Sequence, residues 1–447
     1  MDNLKLYMVT YNVGTTSPDQ DLHDLLSLNP NAKNEKSLPD FYVVSLQEVK
    51  SKPANMLMDS LFNDSWTNST CNILAARDYV KLKTIRLQGL VLSVYSLRKH
   101  LFNVREIESE YTRTGLSGMW GNKGAVSVRL GAYGCSLCFV NSHLAAHDEG
   151  LDDRVEDYNA IIKDQEFHVP EHTEIFFHDY VFWMGDLNFR LMEQYEMAPD
   201  EIERLIKKGE LEKLFAYDQL RHVMSTGKAF SELTEADPKF APTFKFGVGS
   251  DDYDHKRRPA WTDRILYKVN SNNYENVTLK LEQKSYVCHG QYTVSDHRPV
   301  SAEFVIKIPD LNVRVDAQVF SENLDESVQF EKIPVWYLDE ENIATYKFTK
   351  DTLKNKDDWI GVFRENFNAL DDYVVYEYVN KSSSPLPASK SPHRGTHHEG
   401  LRYTLTFPEL PLGRSCSAVQ LIYFSLTEDN VQTVLGISDP IPLKKKD

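Results

Sequence analysis

Short apolar runs recur through the first 305 residues: Lys5 to Tyr11, Phe41 to Leu46, Leu90 to Tyr95, Ala125 to Leu130, Leu137 to Ser142, Tyr180 to Met184, Arg264 to Val269 and Val300 to Ile306. Runs of this length, rich in Val, Leu, Phe and Tyr, predict β-strands. Two stretches switch to helical spacing. Leu22, Leu25 and Leu26 follow Pro18 and Asp19, and Ile202, Leu205 and Ile206 follow Pro199 and Asp200. Proline and an acidic residue both suit the first turn of a helix. Strands interleaved with helices, with hairpin-like neighbours over 125–142, predict a layered α/β sandwich whose sheet is mixed or largely antiparallel.

The texture changes near Pro309. Beyond it the predicted elements are all strands: Val313 to Phe320, Thr345 to Phe348, Trp359 to Arg364, Tyr373 to Val379, Tyr403 to Phe407, Val419 to Phe424 and Thr433 to Ile437. That rhythm predicts an all-β, immunoglobulin-like sandwich, with a proline-broken polar loop over Lys381 to Gly400. A chain of 447 residues exceeds what one core usually organises, so two domains are expected, 1–308 and 309–447.

Composition narrows the function classes. The formal net charge of -16 argues against nucleic acid as a partner, so any anionic substrate must be held by a local cationic cluster. Five cysteines, an odd number without framework spacing, and an amino terminus that does not read as a signal peptide predict a cytoplasmic protein. Cys135 and Cys138 form a C-x-x-C inside an apolar run with no second pair nearby, and carry no zinc expectation.

The chemistry gathers at the ends of the apolar runs. In VFWMGDLNFR a strand ends at Gly185 and delivers Asp186 and Asn188, although Asp186 alone could equally cap a helix. Asn12 and Glu48 end two other runs, and a carboxylate with an amide suits magnesium, a hard cation that keeps much of its water. Asn141 and His143 close CFVNSH, and Asp296 with His297 precede the run at Val300. Protonated imidazoles and amides are the donors that a transferring phosphoryl group needs. Asp263, before its own run, is of a type that fixes a histidine tautomer. Lys256, Arg257 and Arg258, with Lys245 upstream, form a cationic cluster in an acidic chain. Leu116, Met119 and Trp120 sit in a glycine-rich segment before Lys123, where a mobile loop could dip into a bilayer.

GNKGAV, NSHLAAH, WMGDLNFR, PAWTDRIL and SDHRPV, in this order along the chain, resemble the motif blocks of the inositol polyphosphate 5-phosphatases, a branch of the magnesium-dependent endonuclease/exonuclease/phosphatase superfamily. DDWIGVFR, YVVYEYV and the closing LIYFS to GISDPIPL resemble a SKICH domain. The resemblance implies a DNase I-like four-layer sandwich and Mg2+ held by Glu48 with Asn12 assisting and Asp296 nearby. It implies that Asp186 orients and deprotonates the attacking water, Asn188 positions it, and His143 and Asn141 bind the scissile phosphate. His297 would stabilise the transition state, Asp263 would orient His297, and Asn122, Lys123, Lys245, Lys256 and Arg257 would hold the substrate. Implied partners are phosphoinositide lipids at the membrane surface, soluble inositol phosphates, and a protein reached through the SKICH-like domain. The expected location is cytoplasmic, peripheral to the plasma membrane or endoplasmic reticulum. Two positions depart from the family pattern: Phe244 stands where a tyrosine is usual, and His255 where a lysine is.

Overall fold

The computed structural model describes residues 3–29, 38–50, 64–114, 123–192, 197–275, 277–309, 327–349, 354–386, 402–413 and 415–446. They fall into two units, one within 1–97, 109–130 and 134–310, the other within 98–108, 131–133 and 311–447. The chain begins with β1 (Asn3–Asn12), β2 (Phe41–Gln47), α1 (Ser65–Ala75), β3 (Tyr79–Leu87), β4 (Leu90–Leu97), β5 (Val104–Arg113), β6 (Gly124–Ala132) and β7 (Cys135–His143). There follow α2 (Leu151–Asp164), β8 (Tyr180–Asp186), α3 (Pro199–Lys207), α4 (Leu211–Phe215), α5 (Gln219–Thr226), β9 (Asp263–Val269), β10 (Leu281–Cys288) and β11 (Val300–Lys307).

One sheet of the first unit has the order β10-β11-β1-β2-β4-β3, and a second runs β5-β6-β7-β8-β9. Their inner faces meet through aromatic rings, with Phe182 5.1 Å from Phe304 and 5.7 Å from Phe139. Outside the first sheet, Trp66 and Leu74 of α1 pack with Tyr7, Val9 and Tyr11. Outside the second, Tyr158 and Ile161 of α2 and Leu220 and Val223 of α5 cover Val181 and Trp183. The result is helix, sheet, sheet, helix. Burial on both faces explains why β7 and β8 read as nearly unbroken apolar runs instead of alternating ones.

The predicted helix at Pro199 forms as α3, with Pro199 in its first turn. The one expected at Leu22 does not. Leu22, Leu25 and Leu26 are buried, but in turns closed by Leu26 N to Leu22 O at 3.1 Å. A single turn of apolar residues can fill a core gap without paying for further helical nucleation.

The second unit is all β in its carboxyl-terminal part: β12 (Val328–Phe330), β13 (Trp336–Tyr337), β14 (Asn342–Phe348), β15 (Trp359–Arg364), β16 (Tyr373–Tyr378), β17 (Ser383–Leu386), β18 (Arg402–Phe407), β19 (Ala418–Leu426), β20 (Gln432–Ile437) and β21 (Ile441–Lys444). One sheet has the order β12-β14-β18-β17, while β15 pairs with β16 and β19. Tyr346, Leu405 and Phe407 from the first group share a core with Ile360, Val362 and Leu421 from the second. The predicted run Val313 to Phe320 lies outside the described residues. The predicted polar loop after Lys381 begins instead with β17, which pairs with β18.

Candidate active site

Strand register brings the motif residues to one edge. Asn12 is level with Gln47 across the parallel pair β1 and β2, so Asn12 and Glu48 leave the first sheet together. On the second sheet His143 is level with Asp186, and Asp186 with Asp263. Asp296 and His297 arrive just before β11, whose Val300 pairs with Thr10. Gly185 makes the closing turn possible. Its φ is +144°, and a Cβ there would lie 1.9 Å from the carbonyl oxygen of Ser142.

Asp186 is the hub. Its Oδ2 accepts from Asn12 Nδ2 at 2.9 Å and lies 3.2 Å from His143 Nε2 and 3.8 Å from His297 Nε2. Its Oδ1 accepts from the backbone N–H of Asn188 at 3.1 Å. Residues 187–192 are not helical, so Asp186 caps no helix there. Burial alone would raise the carboxyl's pKa, but the neighbouring His297 and His143 outweigh it and hold it well below the usual carboxylate range.

His297 donates from Nδ1 to Asp263 Oδ2 at 2.9 Å, and the same oxygen accepts from Thr243 Oγ1 at 2.6 Å and Thr262 Oγ1 at 2.8 Å. Burial opposes the imidazolium, yet the Asp263 and Asp186 carboxylates push His297 up to about 9. His143 behaves oppositely: burial and the adjacent Lys123 ammonium push it below the ordinary imidazole value, and its Nε2 contacts Lys123 Nζ. Only one of the two histidines is thus a cationic donor at neutral pH, where the sequence suggested two. Asp186, Asp263 and His297 lie close enough to suggest a metal cluster, but Nδ1 of His297 is already committed to Asp263.

The oxygen donors for a hard cation lie on the other side of Asp186. Glu48 adopts φ +56°, and its side chain is 36% exposed, with Oε1 accepting from Asn12 Nδ2 at 3.1 Å. An accessible carboxylate beside a buried one suits a cation that retains most of its water.

Other expected residues stand elsewhere. Asn141 cannot serve the phosphate: its amide donates to Leu46 O at 3.0 Å and Val91 O at 2.8 Å, and its oxygen accepts from Gln47 Nε2 at 2.9 Å. It ties the two sheets together. Asp296 is paired with Lys245 Nζ at 3.1 Å. Lys256 and Arg257 are exposed, with no anionic side-chain partner among the described residues. Asn122, Leu116, Met119 and Trp120 lie outside the described residues. One hydrogen of the Asn188 amide is taken, with Nδ2 donating to Leu144 O at 3.0 Å, and Oδ1 accepts from Arg190 Nη2 at 2.6 Å.

Sequence reasoning passed over Arg190, Thr243 and Thr262, and noted Phe244 for the hydroxyl it lacks instead of for its ring. Arg190 stacks on Phe244 at 4.5 Å, and that ring lies 4.4 Å from the imidazole of His297. The only signal for these residues was their place within or beside WMGDLNFR, PTFKF and PAWTD.

Comparison with known proteins agrees with this geometry. Residues 9–303 match the Endonuclease/Exonuclease/phosphatase family 2, and residues 328–443 match the SKICH domain. The chain is 34% identical to the Phosphatidylinositol 4,5-bisphosphate 5-phosphatase A of Mus musculus over 98% of its own length, but spans only 42% of that relative. It is 32% identical to the Inositol polyphosphate 5-phosphatase K of Mus musculus, over 99% of this chain and 90% of the relative. Among solved structures, the inositol polyphosphate 5-phosphatase domain of SPsynaptojanin, in complex with inositol (1,4)-bisphosphate and calcium ion, superposes with a TM-score of 0.58 at 33% identity, covering 68% of this chain and 85% of that one. With its DNase I-like double sheet, its motif residues on one edge and a SKICH domain later in the sequence, the chain belongs to the inositol polyphosphate 5-phosphatases of the endonuclease/exonuclease/phosphatase family.

Proposed function

We propose that the chain is a magnesium-dependent phosphomonoesterase that removes the 5-phosphate from PtdIns(4,5)P2 and PtdIns(3,4,5)P3, and from soluble inositol polyphosphates. The observation that carries this reading is the ionised Asp186 set against the cationic His297, with the accessible Glu48 carboxylate beside them. Glu48, assisted by Asn12, would hold the magnesium ion, which when bound polarises a phosphoryl oxygen. Asp186 orients the attacking water. Its low pKa makes it a weak base, which suffices because phosphoryl transfer has a loose transition state and the water's proton can leave late. His297 donates from Nε2 to the phosphoryl oxygens as their charge shifts, and Asp263 keeps that nitrogen protonated. No covalent enzyme intermediate is needed; burial pushes the Cys135 and Cys138 thiols up, so neither offers a thiolate.

The proposal extends to the rest of the chain. Residues 1–308 would form the catalytic domain, and 309–447 an immunoglobulin-like SKICH domain that places a cytoplasmic enzyme at membranes or on a protein partner. Lys123, Lys245, Lys256 and Arg257 would grip ring phosphates away from the reacting centre, and Leu116, Met119 and Trp120 would enter the bilayer. Among the described residues no helix is long and apolar enough to cross a membrane.

The test is phosphate release from PtdIns(4,5)P2 vesicles and from a soluble inositol polyphosphate, with and without magnesium. Both substrates should be cleaved only with the metal. Asp186→Ala should lose at least about a thousandfold in kcat while staying folded, the scale of a lost transition-state group. Retained turnover in that variant refutes the mechanism. Serine at 116, 119 and 120 together should lower vesicle turnover alone; equal loss on both substrates rules out loop docking.

A further inference from the structure

Two buried polar side chains outside the reacting group converge on the loops that carry it. Arg154 lies on α2 and Gln219 opens α5, the two helices covering the outer face of the second sheet; Arg154 is 0% exposed and Gln219 2%. Arg154 donates from Nη1 to the carbonyl oxygens of Ala145 at 3.0 Å and His147 at 2.8 Å, in the loop that follows His143. From Nη2 it donates to Gln219 Oε1 at 2.7 Å. That same oxygen accepts from the backbone N–H of Arg190 at 2.9 Å, and Gln219 N donates back to Arg190 O at 2.9 Å.

Arg190 passes the restraint on. Its Nε donates to Asn188 O at 3.0 Å and its Nη2 to Asn188 Oδ1, and the Asn188 N–H in turn donates to Asp186. One side-chain oxygen, Gln219 Oε1, is therefore an outer junction between the loop after His143 and the loop after Asp186, beside the direct bonds from Asn188 Nδ2 to Leu144 O at 3.0 Å and from Leu144 N to Asp186 O at 3.1 Å. A core-filling glutamine would need no such pair of donors. Burying an amide and a guanidinium is costly unless they are hydrogen-bonded, and here, with Arg154 Nε alone left without a partner, their hydrogen bonds run to the two catalytic loops.

We infer that Arg154 and Gln219 are positioning residues for the phosphatase reaction: they clamp the two loops together and so fix the separation of His143, Asp186 and Asn188. The inference rests on the phosphatase reading above. Misplacing reacting groups by about 1 Å costs up to about a hundredfold in rate. Gln219→Leu keeps the bulk, leaves Arg154 Nη2 and the Arg190 N–H without their acceptor, and should lower kcat about 10- to 100-fold with KM held within about twofold. Gln219→Glu keeps the shared acceptor and should keep kcat within about threefold of the parent, since the Arg154 and Arg190 donors remain satisfied. Arg154→Lys keeps charge and bulk but loses the fork. Combined with Gln219→Leu, it should cost no more than the worse single change, because both act through one junction.

Amide exchange provides a readout that needs no turnover. In Gln219→Leu, exchange at Arg190 should accelerate while Val181 to Trp183, inside β8, stay protected. Equal kcat losses for the leucine and glutamate variants, a loss matched by the fall in folded fraction, or unchanged exchange at Arg190 would each overturn the clamp. If Gln219→Leu does not fold, Arg154→Lys alone carries the same kcat and exchange tests. Absence of phosphate release from the unmodified protein would instead count against the phosphatase reading, and exchange at Arg190 would still decide the clamp.

Discussion

His297 keeps its proton through neutral pH because two carboxylates face opposite nitrogens of one buried ring, Asp263 at Nδ1 and Asp186 near Nε2. The sign of the linkage follows. With its pKa raised to about 9, His297 contributes stability that is fully present below the unfolded value of 6.5 and is lost as pH rises through about 9. Asp186, shifted downward, contributes stability that is lost only as pH falls below the ordinary carboxylate range. If the imidazolium is the working form, kcat/KM should hold through neutral pH and fall as pH rises through about 9. Asp263→Asn removes the nearest anionic partner and should move that alkaline limb to lower pH by at least about one unit. A limb that stays in place in the variant would assign the titration to another group. Asn141 shows the limit of reading a residue by type: an amide at a strand end looked like a phosphate ligand, but two backbone carbonyls claim both of its hydrogens.

At the scale of elements, the catalytic edge depends on how closely β7 and β8 approach. The two strands are parallel and in register up to His143 and Asp186, and at the last turn the backbone of Gly185 sits against Ser142. Gly185→Ala would place a Cβ 1.9 Å from that carbonyl at a φ of +144°, so the strand ends must part. We expect a loss of more than about 2 kcal/mol in unfolding free energy, larger than a glycine replacement at a permissive site. Activity should fall further than the folded fraction, because Asp186 is displaced directly. A variant with parental stability and turnover would contradict the tight approach. Of the strands that form this edge, β2, β7 and β8 were legible because each is buried on both faces. Among those that sequence reading missed, β3 is YVKLKTIRL and β5 is VREIESEYTR, each with charged residues set between the apolar ones, and β10 alternates between half-buried and exposed positions at a sheet edge. α2 was missed as well, since its Arg154 and Asp157 are buried where an amphipathic pattern expects apolar residues. Those polar residues are there to hold loops.

Across the whole molecule, charge and site pull in opposite directions. The chain carries 66 acidic and 50 basic residues, a formal net charge of -16, and would by itself repel a polyphosphate. Cations nonetheless gather at the site: Lys123 contacts His143, Arg190 stacks on Phe244, and Lys256 and Arg257 are exposed without anionic partners among the described residues. Screening separates the two contributions, because the Debye length shrinks from about 30 Å at 10 mM salt to about 10 Å at 100 mM. If global repulsion governs encounter, kcat/KM for a soluble inositol polyphosphate should rise over that range. If the local cations govern it, the value should fall, as focused fields act at short range on the approaching anion. We expect a fall of several-fold, measured at fixed magnesium, and a flattened or reversed slope in the Lys256→Ala, Arg257→Ala double variant. The double variant should raise KM about tenfold with little change in kcat, since neither side chain is placed at the reacting phosphate. A rate that rises with salt in the unmodified protein would show that the acidic surface dominates, and that the cationic cluster does not steer substrate.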